Sequence, residues 1–317
     1  FGYNCIGAAI SAGRLLGLDE KRMAHALGLA AYSAPVPSVS KAISGDRFAL
    51  CKPGMIGWQA WSGCLAALLA AKGVEVDDRA LEGPAGFWRM NSSAWFDEPV
   101  LTEKLGSKWW IMDVSFKLEA AGTWMRPAIH ALRQILEHNA IGPGDIEKID
   151  VHLFSHPLSR KLFSQSHPKS YLDAQVSYHY LLAATALRIP IEEWQRPGTF
   201  RSRSMHDMMR RIELRPDAAA TRELLRELSV RPHRATGALT TVKVRARGRV
   251  YMERTKYGRG DPFDPGTFAK DADLDEKFSR FAAPVLGHKA AGAPGVLWGL
   301  ERRSTARQLV KAFCKAA

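Results

Sequence analysis

RFALCKPGMIGWQAWSGCLAALLAAKG, residues 47–73, is the stretch on which the fold turns. It opens as a polar turn and continues as an apolar, alanine-rich helix. Pro53 suits the first helical position, where its missing N–H has no partner to lose. Lys52 then falls at or near the N-cap. A cation is unfavourable there, because the helix N-terminus already carries partial positive charge. Ser, Thr, Asp or Asn would stabilise that position better. Two explanations stand side by side. Lys52 points into water at a cost of a few tenths of a kcal/mol, or an anion sits between the ammonium and the helix end.

The sequence upstream extends the same helical layer. Ile6 to Leu16 is small and apolar, which suits close helix–helix packing. Gly17 can end that helix, and Asp19 can cap the next one, running to about Tyr32 with Met23, Ala26, Leu27 and Ala30 on one face. Residues 34–48 read as a loop from their prolines, glycine and small polar residues. Downstream, Gly73 closes the central helix, and short turns and helical pieces follow.

The pattern then changes. Residues 108–117, KWWIMDVSFK, are β-branched and aromatic in character and read as extended. A helix is expected from about Pro127 to Asn139. Ile146–Phe154 alternates apolar and polar residues, as a half-buried strand does. Asp173–Leu187 reads as one helix, with Val176, Tyr180, Ala183, Ala184 and Leu187 along a stripe. Short helices are expected at Glu192–Gln195 and Ser204–Arg211, leading into Ile212–Leu214. Ala238–Glu253 is a strong strand signal, broken at Gly248. Leu274–Phe281 and Gly295–Phe313 are expected as closing helices. The fold class that results is mainly α with α+β: an all-helical domain (1–112 and 272–317) with an inserted α+β lid domain (113–271).

Composition narrows the function. The chain has 317 residues, 46 % hydrophobic and 24 % charged, ordinary for a soluble globular protein. The four cysteines show no CxxC pair and no metal spacing, so they read as free thiols in a reducing, cytoplasmic setting. No signal peptide is visible, and no apolar run spans the ~20 residues a bilayer needs. The opening at Phe1, directly in a helical pattern, reads as an N-terminal truncation, from which an uncovered apolar face and an inactive fragment are expected. The net charge of +13 permits nucleic acid, an anionic membrane or small anions as partners. Lys and Arg are spread rather than clustered, and no nucleic-acid-binding motif is present. Dinucleotide-binding, phosphate-loop and serine-elbow motifs are missing too. His152 and His156 lie at a strand and its end with no third ligand, so no metal is expected there. Trp109 and Trp110 read as core or interface.

Several segments, in their shared order, carry a family resemblance. They are GYNCIGAA, AAISAGRLLGLDEKRMAHALGLA, CKPGMIGWQAWSG, EGPAGFWRM, FKLEAAGTWMRPAIHAL, DIEKIDVH, SYHYLLAATAL and YGRGDPFDP followed by LDEKFSRFA. The chain resembles the MmgE/PrpD family, which includes metal-independent 2-methylcitrate dehydratases, cis-aconitate decarboxylases and iminodisuccinate epimerases. The resemblance implies an all-helical domain with an α+β lid, an active site in the cleft between them, a homodimer, no cofactor, and a small polycarboxylate as substrate, with neither nucleic acid nor membrane as partner. It also implies a longer N-terminal helical segment carrying a catalytic Asp and His.

Residue by residue, the resemblance places Lys52 on the family's Lys-Pro lysine and Lys117 on the lysine at the hinge into the lid. Tyr180 falls on the tyrosine of the Ser-x-x-Tyr helix. The chemistry is consistent: abstraction of a proton α to a carboxylate builds negative charge that ammonium groups stabilise, and a phenol can relay a proton. Lys117 and Tyr180 are therefore the candidate catalytic residues, with Lys52, Arg126 and Asn4 as candidate substrate contacts. Lys117 as a snorkelling strand-end lysine and Tyr180 as a core tyrosine with a satisfied hydroxyl remain alternatives.

Three departures bear on the reaction. Asn4 stands where many members have a histidine, and an amide cannot act as a base near neutral pH. Arg126 replaces another histidine, and Met55 a third. These changes point to a related acid of different shape or charge. A catalytically silent homologue that binds an anion, or serves as a dimerising scaffold, is the alternative function.

Overall fold

A Cβ built on Gly63 would stand 2.1 Å from the carbonyl oxygen of Cys5 and 2.7 Å from Cβ of Ala8. No side chain fits there, so the backbones of two helices touch at this point. They are α1 (Asn4–Leu15) and α3 (Cys51–Ala71), with α2 (Glu20–Tyr32) packed against both. The computed structural model describes residues 3–34, 51–90, 97, 99–155, 166–168, 170–230 and 234–302, and the side chains at 51–55, 90 and 289 lie outside that description. The loop expected at 34–48 therefore lies almost wholly outside it.

The α1–α2 corner follows from two residues. Gly17 takes φ +70°, and the N–H groups of Gly17 and Leu18 bond to the carbonyls of Arg14 and Gly13 at 3.2 and 3.0 Å. This is the glycine-terminated helix end in which a left-handed residue satisfies orphan carbonyls. Asp19 then accepts the Arg22 N–H at 2.8 Å, capping α2 as its position in the sequence suggests. Cys5, Ala9, Ala30 and Ala66 form one small-residue core, and Ala26, Ala67 and Ala70 another. Such cores trade buried area for close backbone approach. The opposite side of α3 carries Trp58, Trp61, Leu65 and Leu68, all exposed, with the two indoles stacked at 5.3 Å.

The chain divides into two compact units, 1–108 and 109–317. The second begins differently from expectation: residues 110–113 form a 3₁₀ turn, followed by extended chain without strand pairing. Then comes α4 (Arg126–His138), with Pro127 in its first turn and a buried stripe of Ile129, Leu132, Ile135 and Leu136. Each such side chain contributes about 1.5–3 kcal/mol on burial. β1 (Ile146–Leu153) alternates as the sequence indicates.

The helix expected over Asp173–Leu187 is two pieces. Ser170 caps a turn at Tyr171–Ala174, and Ser177 caps α5 (Tyr178–Ala186) through the Tyr180 N–H at 3.2 Å. A serine hydroxyl competing for backbone N–H groups starts a new helix rather than continuing the old one. α6 (Arg203–Met209) leads into β2 (Ile212–Pro216), and α7 (Ala218–Ser229) follows. The reading of the sequence passes over α7, although Asp217 caps it by accepting from Ala219 and Ala220 N–H at 2.7 and 3.1 Å.

β3 (Thr240–Ala246) and β4 (Arg249–Thr255) make a hairpin around Arg247 and Gly248, both at positive φ. The sheet order is β2-β1-β3-β4, with β1 and β2 parallel and the other pairs antiparallel. α4 packs on β3 and β4, and α5 on α4. Ile149, Val151, Val242 and Val244 fill the space beneath them at 0 % exposure. Two helices, α8 (Asp271–Leu286) and α9 (Lys289–Trp298), close the described chain. They group with unit 109–317, whereas the sequence reading returns 272–317 to the helical layer. Arg259–Asp273 and Arg280–Glu192 pairs, with a bond from Lys277 to the Lys117 carbonyl, attach α8 there.

Candidate active site

Arg126 opens α4 and is 2 % exposed. A guanidinium buried this far needs partners, since an isolated buried charge is very costly. Its Nη2 donates to Asp261, and its Nη1 donates to the Phe116 carbonyl at 3.1 Å. Asp261 is itself 4 % exposed and accepts the Gly258 N–H at 2.7 Å through its second oxygen. Phe116 N–H donates to the Gly260 carbonyl at 2.8 Å. Two glycines make this closeness possible: a Cβ at Gly258 would lie 2.6 Å from Cβ of Arg126, and one at Gly260 2.1 Å from the Phe116 oxygen. Burial pushes the Arg126 pKa down, while Glu119 opposes that shift. Arg126 thus ties the extended segment before Lys117 to the Tyr257–Pro262 loop. Its terminal nitrogens serve the interior, which differs from the substrate anchor expected of it.

Lys117 is exposed, one residue beyond this knot. Its carbonyl accepts from Nζ of Lys277 on α8. The adjoining Glu119 is buried at 4 % and paired with Arg133. Glu119, Arg133, Arg188, Arg259, Lys277 and Arg280 line a cavity of about 700 Å³. Most of these charges already have partners: Arg259 holds Asp273, Arg280 holds Glu276 and Glu192, and Arg188 bonds to the Ile141 carbonyl. Trp194 lines the same cavity.

Tyr180 lies behind Trp194. It is 1 % exposed, donates its hydroxyl to the Trp194 carbonyl, and stacks on Phe200 at 4.9 Å. Burial raises its pKa to about 12, so the phenol keeps its proton at neutral pH. This is the geometry of a core tyrosine with a satisfied hydroxyl. Tyr178 is held in a similar way, donating to the Trp124 carbonyl at 2.8 Å.

The remaining two positions belong to unit 1–108. Asn4, the first residue of α1, donates its amide to Oε1 of Gln59 at 2.8 Å. Gln59 is 1 % exposed, and its Nε2 has no partner among the described residues. Lys52 stands in the first turn of α3, and its side chain lies outside the described residues. Seven residues separate it from Gln59, two helical turns, so the two positions share one face of α3. The sequence reading missed Gln59. Its signal is a lone amide inside an otherwise apolar helix. It also missed Asp261, whose signal is an acid set between glycine and proline.

Among the described residues no group of three or more His, Cys, Asp and Glu is arranged to hold a metal, and no helix is long and apolar enough to cross a membrane. Cys5 is a buried free thiol and Cys64 an exposed one, while the side chains of Cys51 and Cys314 lie outside the description. His156 likewise lies outside it.

Comparison with known proteins follows the same division. The MmgE/PrpD N-terminal domain matches residues 3–96, inside the first unit, and the MmgE/PrpD C-terminal domain matches 120–293, inside the second. No curated protein matches the chain. With both domain models matched across most of its length, the chain belongs to the MmgE/PrpD family, a family of dehydratase- and lyase-type enzymes.

Proposed function

We propose that the protein is a metal-independent lyase or epimerase, resembling 2-methylcitrate dehydratase, that acts on a small di- or tricarboxylate by abstracting the proton α to a carboxylate. The observation that carries this is the match to both family domains; the resemblance of the sequence further suggests Lys52 and Lys117 as the family's lysines. Loss of the α-proton to a base leaves an electron pair that delocalises onto the adjoining carboxylate. The ammonium group of a lysine such as Lys117 balances that charge. The pair then expels a β-hydroxyl, which leaves as water by taking back the proton held by the conjugate acid of the base, or the carbanion is reprotonated on the opposite face by a second acid. In the decarboxylating variant, loss of CO₂ generates the carbanion instead, and a proton replaces the carboxylate. The hydroxyl of Tyr180 is committed to Trp194, so the proposed proton path does not run through it in this conformation. The resemblance further suggests a cytoplasmic homodimer that needs no cofactor.

A second reading has its own support. Arg126 and Tyr180 are bonded inside their unit, and Asn4 is bonded to Gln59. That pattern suits a silent homologue that keeps the fold and binds an anion. One experiment separates the two. The protein is incubated in D₂O with citrate, 2-methylcitrate, cis-aconitate and smaller dicarboxylates, and α-deuterium is followed by mass spectrometry. The lyase reading expects incorporation into at least one acid, lost in Lys117→Ala. Absence of exchange with every acid overturns it in favour of the silent homologue.

A further inference from the structure

Among the described residues no strand pairs with the far edge of the sheet, and that edge has a definite charge. Arg247 and Gly248, at φ 52° and 70°, form a two-residue hairpin loop between Ala246 and Arg249. In such a hairpin the flanking residues form a hydrogen-bonded pair, and bonding alternates from there. Arg249, Tyr251, Glu253 and Thr255 therefore spend their backbone groups on β3. Val250, Met252 and Arg254 turn theirs outward. β4 ends the strand order, and its Val250 and Met252 are 61 % and 62 % exposed. Among the described residues the outward N–H of Arg254 meets the neighbouring Glu253 carboxylate, at 3.3 Å.

The side chains of these three residues stand on the sheet face opposite α4. The register sets Val250 beside Arg245, Met252 beside Lys243, and Arg254 beside Thr241. At the other end of this face, Lys148, Asp150, Glu213 and Arg215 neutralise one another in a four-residue network. Toward β4 the balance shifts to positive: among the described residues the side chains of Lys243, Arg245 and Arg254 form no ion pair, although Asp150, already shared by Lys148 and Arg215, stands opposite Lys243. Natural edge strands carry cations or proline to discourage strand addition. Here the cations leave room for one kind of strand, since an acidic one is attracted where a copy of this basic edge is repelled.

We infer that β4 is a docking edge for an extended acidic peptide segment of a partner protein, added as a fifth strand against Val250, Met252 and Arg254. Main-chain bonds to those residues hold the peptide, as in other cases of strand addition. Its acidic side chains on the open face meet Arg254 directly. Lys243 and Arg245 lie one strand further, ~10 Å from the added chain, a gap that a long cation and a glutamate span together.

The test uses a short fluorescent peptide that alternates Glu with Thr and Val, with a Lys-for-Glu peptide as control, and the whole chain. Saturable binding of the acidic peptide alone is expected, with slowed amide exchange at Val250, Met252 and Arg254. Met252→Pro is the decisive variant. Its N–H points outward, so proline there removes a docking donor and leaves the β3 pairing intact. Unchanged far-UV circular dichroism and melting confirm that it folds, and Val250→Pro replaces it otherwise. Met252→Pro and Arg254→Glu are each expected to weaken binding ~10-fold, about 1.4 kcal/mol. Several results overturn the inference: no binding of the acidic peptide, or binding unchanged by the proline. A dimer that Met252→Pro converts to monomer makes a second copy the occupant. Tighter binding of single-stranded RNA, insensitive to the proline, makes the face a nucleic-acid site.

Discussion

Arg126 and Asp261 form an ion pair across 135 residues of sequence, at side-chain exposures of 1 % and 6 %. The pair joins the first turn of α4 to the loop before α8 and fixes the chain that leads to Lys117. Removing one partner of a buried pair strands the other charge, which costs about 3–5 kcal/mol. Arg126→Ala and Asp261→Ala are expected to lose stability on that scale in chemical denaturation. Arg126→Met/Asp261→Leu, which removes both charges, should recover most of the loss. Equal destabilisation of single and double variants would show that the pair is not what holds the loop.

Gly63 makes a comparable prediction in the first unit. A methyl there collides with the Cys5 carbonyl at 2.1 Å, and that oxygen belongs to backbone and cannot rotate away. Gly63→Ala is expected to destabilise by about 1–3 kcal/mol, the range for overpacking a close contact. Gly57→Ala, on the same helix with open space around it, should be neutral or slightly stabilising. A matched pair of thermal melts distinguishes local crowding from general helix propensity.

Much of the fold could be read from local signals. Asp19, Gly17, Pro127 and the alternation of Ile146–Leu153 each act within a few residues, and each appears where the sequence places it. Signals that compete were harder to read. Ser177 broke a continuous apolar stripe into two helical pieces, because a capping bond outweighed periodicity. The aromatic run at 108–117 reads as extended, which holds for 114–117; residues 110–113 turn instead, and Trp110 packs under Arg234, 5.4 Å away. At the candidate site, residue type and family position brought Arg126 and Tyr180 forward. Their commitments to Asp261 and Trp194 depend on tertiary geometry, which sequence spacing does not encode.

Acid sensitivity follows from two histidines. Burial, with Arg133 and Arg259 adding to it, lowers the pKa of His130, and burial with His167 lowers that of His179. The folded state thus binds fewer protons than the unfolded chain near and below the ordinary histidine pKa of about 6.5. Where the unfolded state binds more protons, stability rises with pH. The contribution is complete above that value and lost as pH falls toward the lowered folded values. Denaturation midpoints should therefore drop as the pH falls below about 6.5. His130→Gln should flatten part of that slope, and a slope unchanged by both His130→Gln and His179→Gln would assign the loss to carboxylates instead.

Lys117 and Tyr180 separate chemistry from architecture. Tyr180→Phe removes a buried hydroxyl and leaves the Trp194 carbonyl without its donor, at a cost of about 1–3 kcal/mol. Stacking on Phe200 survives the change, so the variant should fold. If the hydroxyl serves only the core, α-deuterium exchange with a responsive acid continues at the parent rate below the melting transition. Lys117 is exposed and its side chain is not needed for the bond from Lys277, which uses the backbone carbonyl. In Lys117→Ala, assayed below that variant's own melting transition, exchange is expected to fall by roughly 100-fold or more, the scale of losing one preorganised donor at a developing oxyanion. Lys117→Arg keeps the charge and should retain part of the rate. Parent-level exchange in Lys117→Ala, or its abolition in a stably folded Tyr180→Phe, would reverse the two assignments: the phenol would then have to leave Trp194 during turnover, and that release would appear as faster amide exchange around Trp194 when the acid is bound.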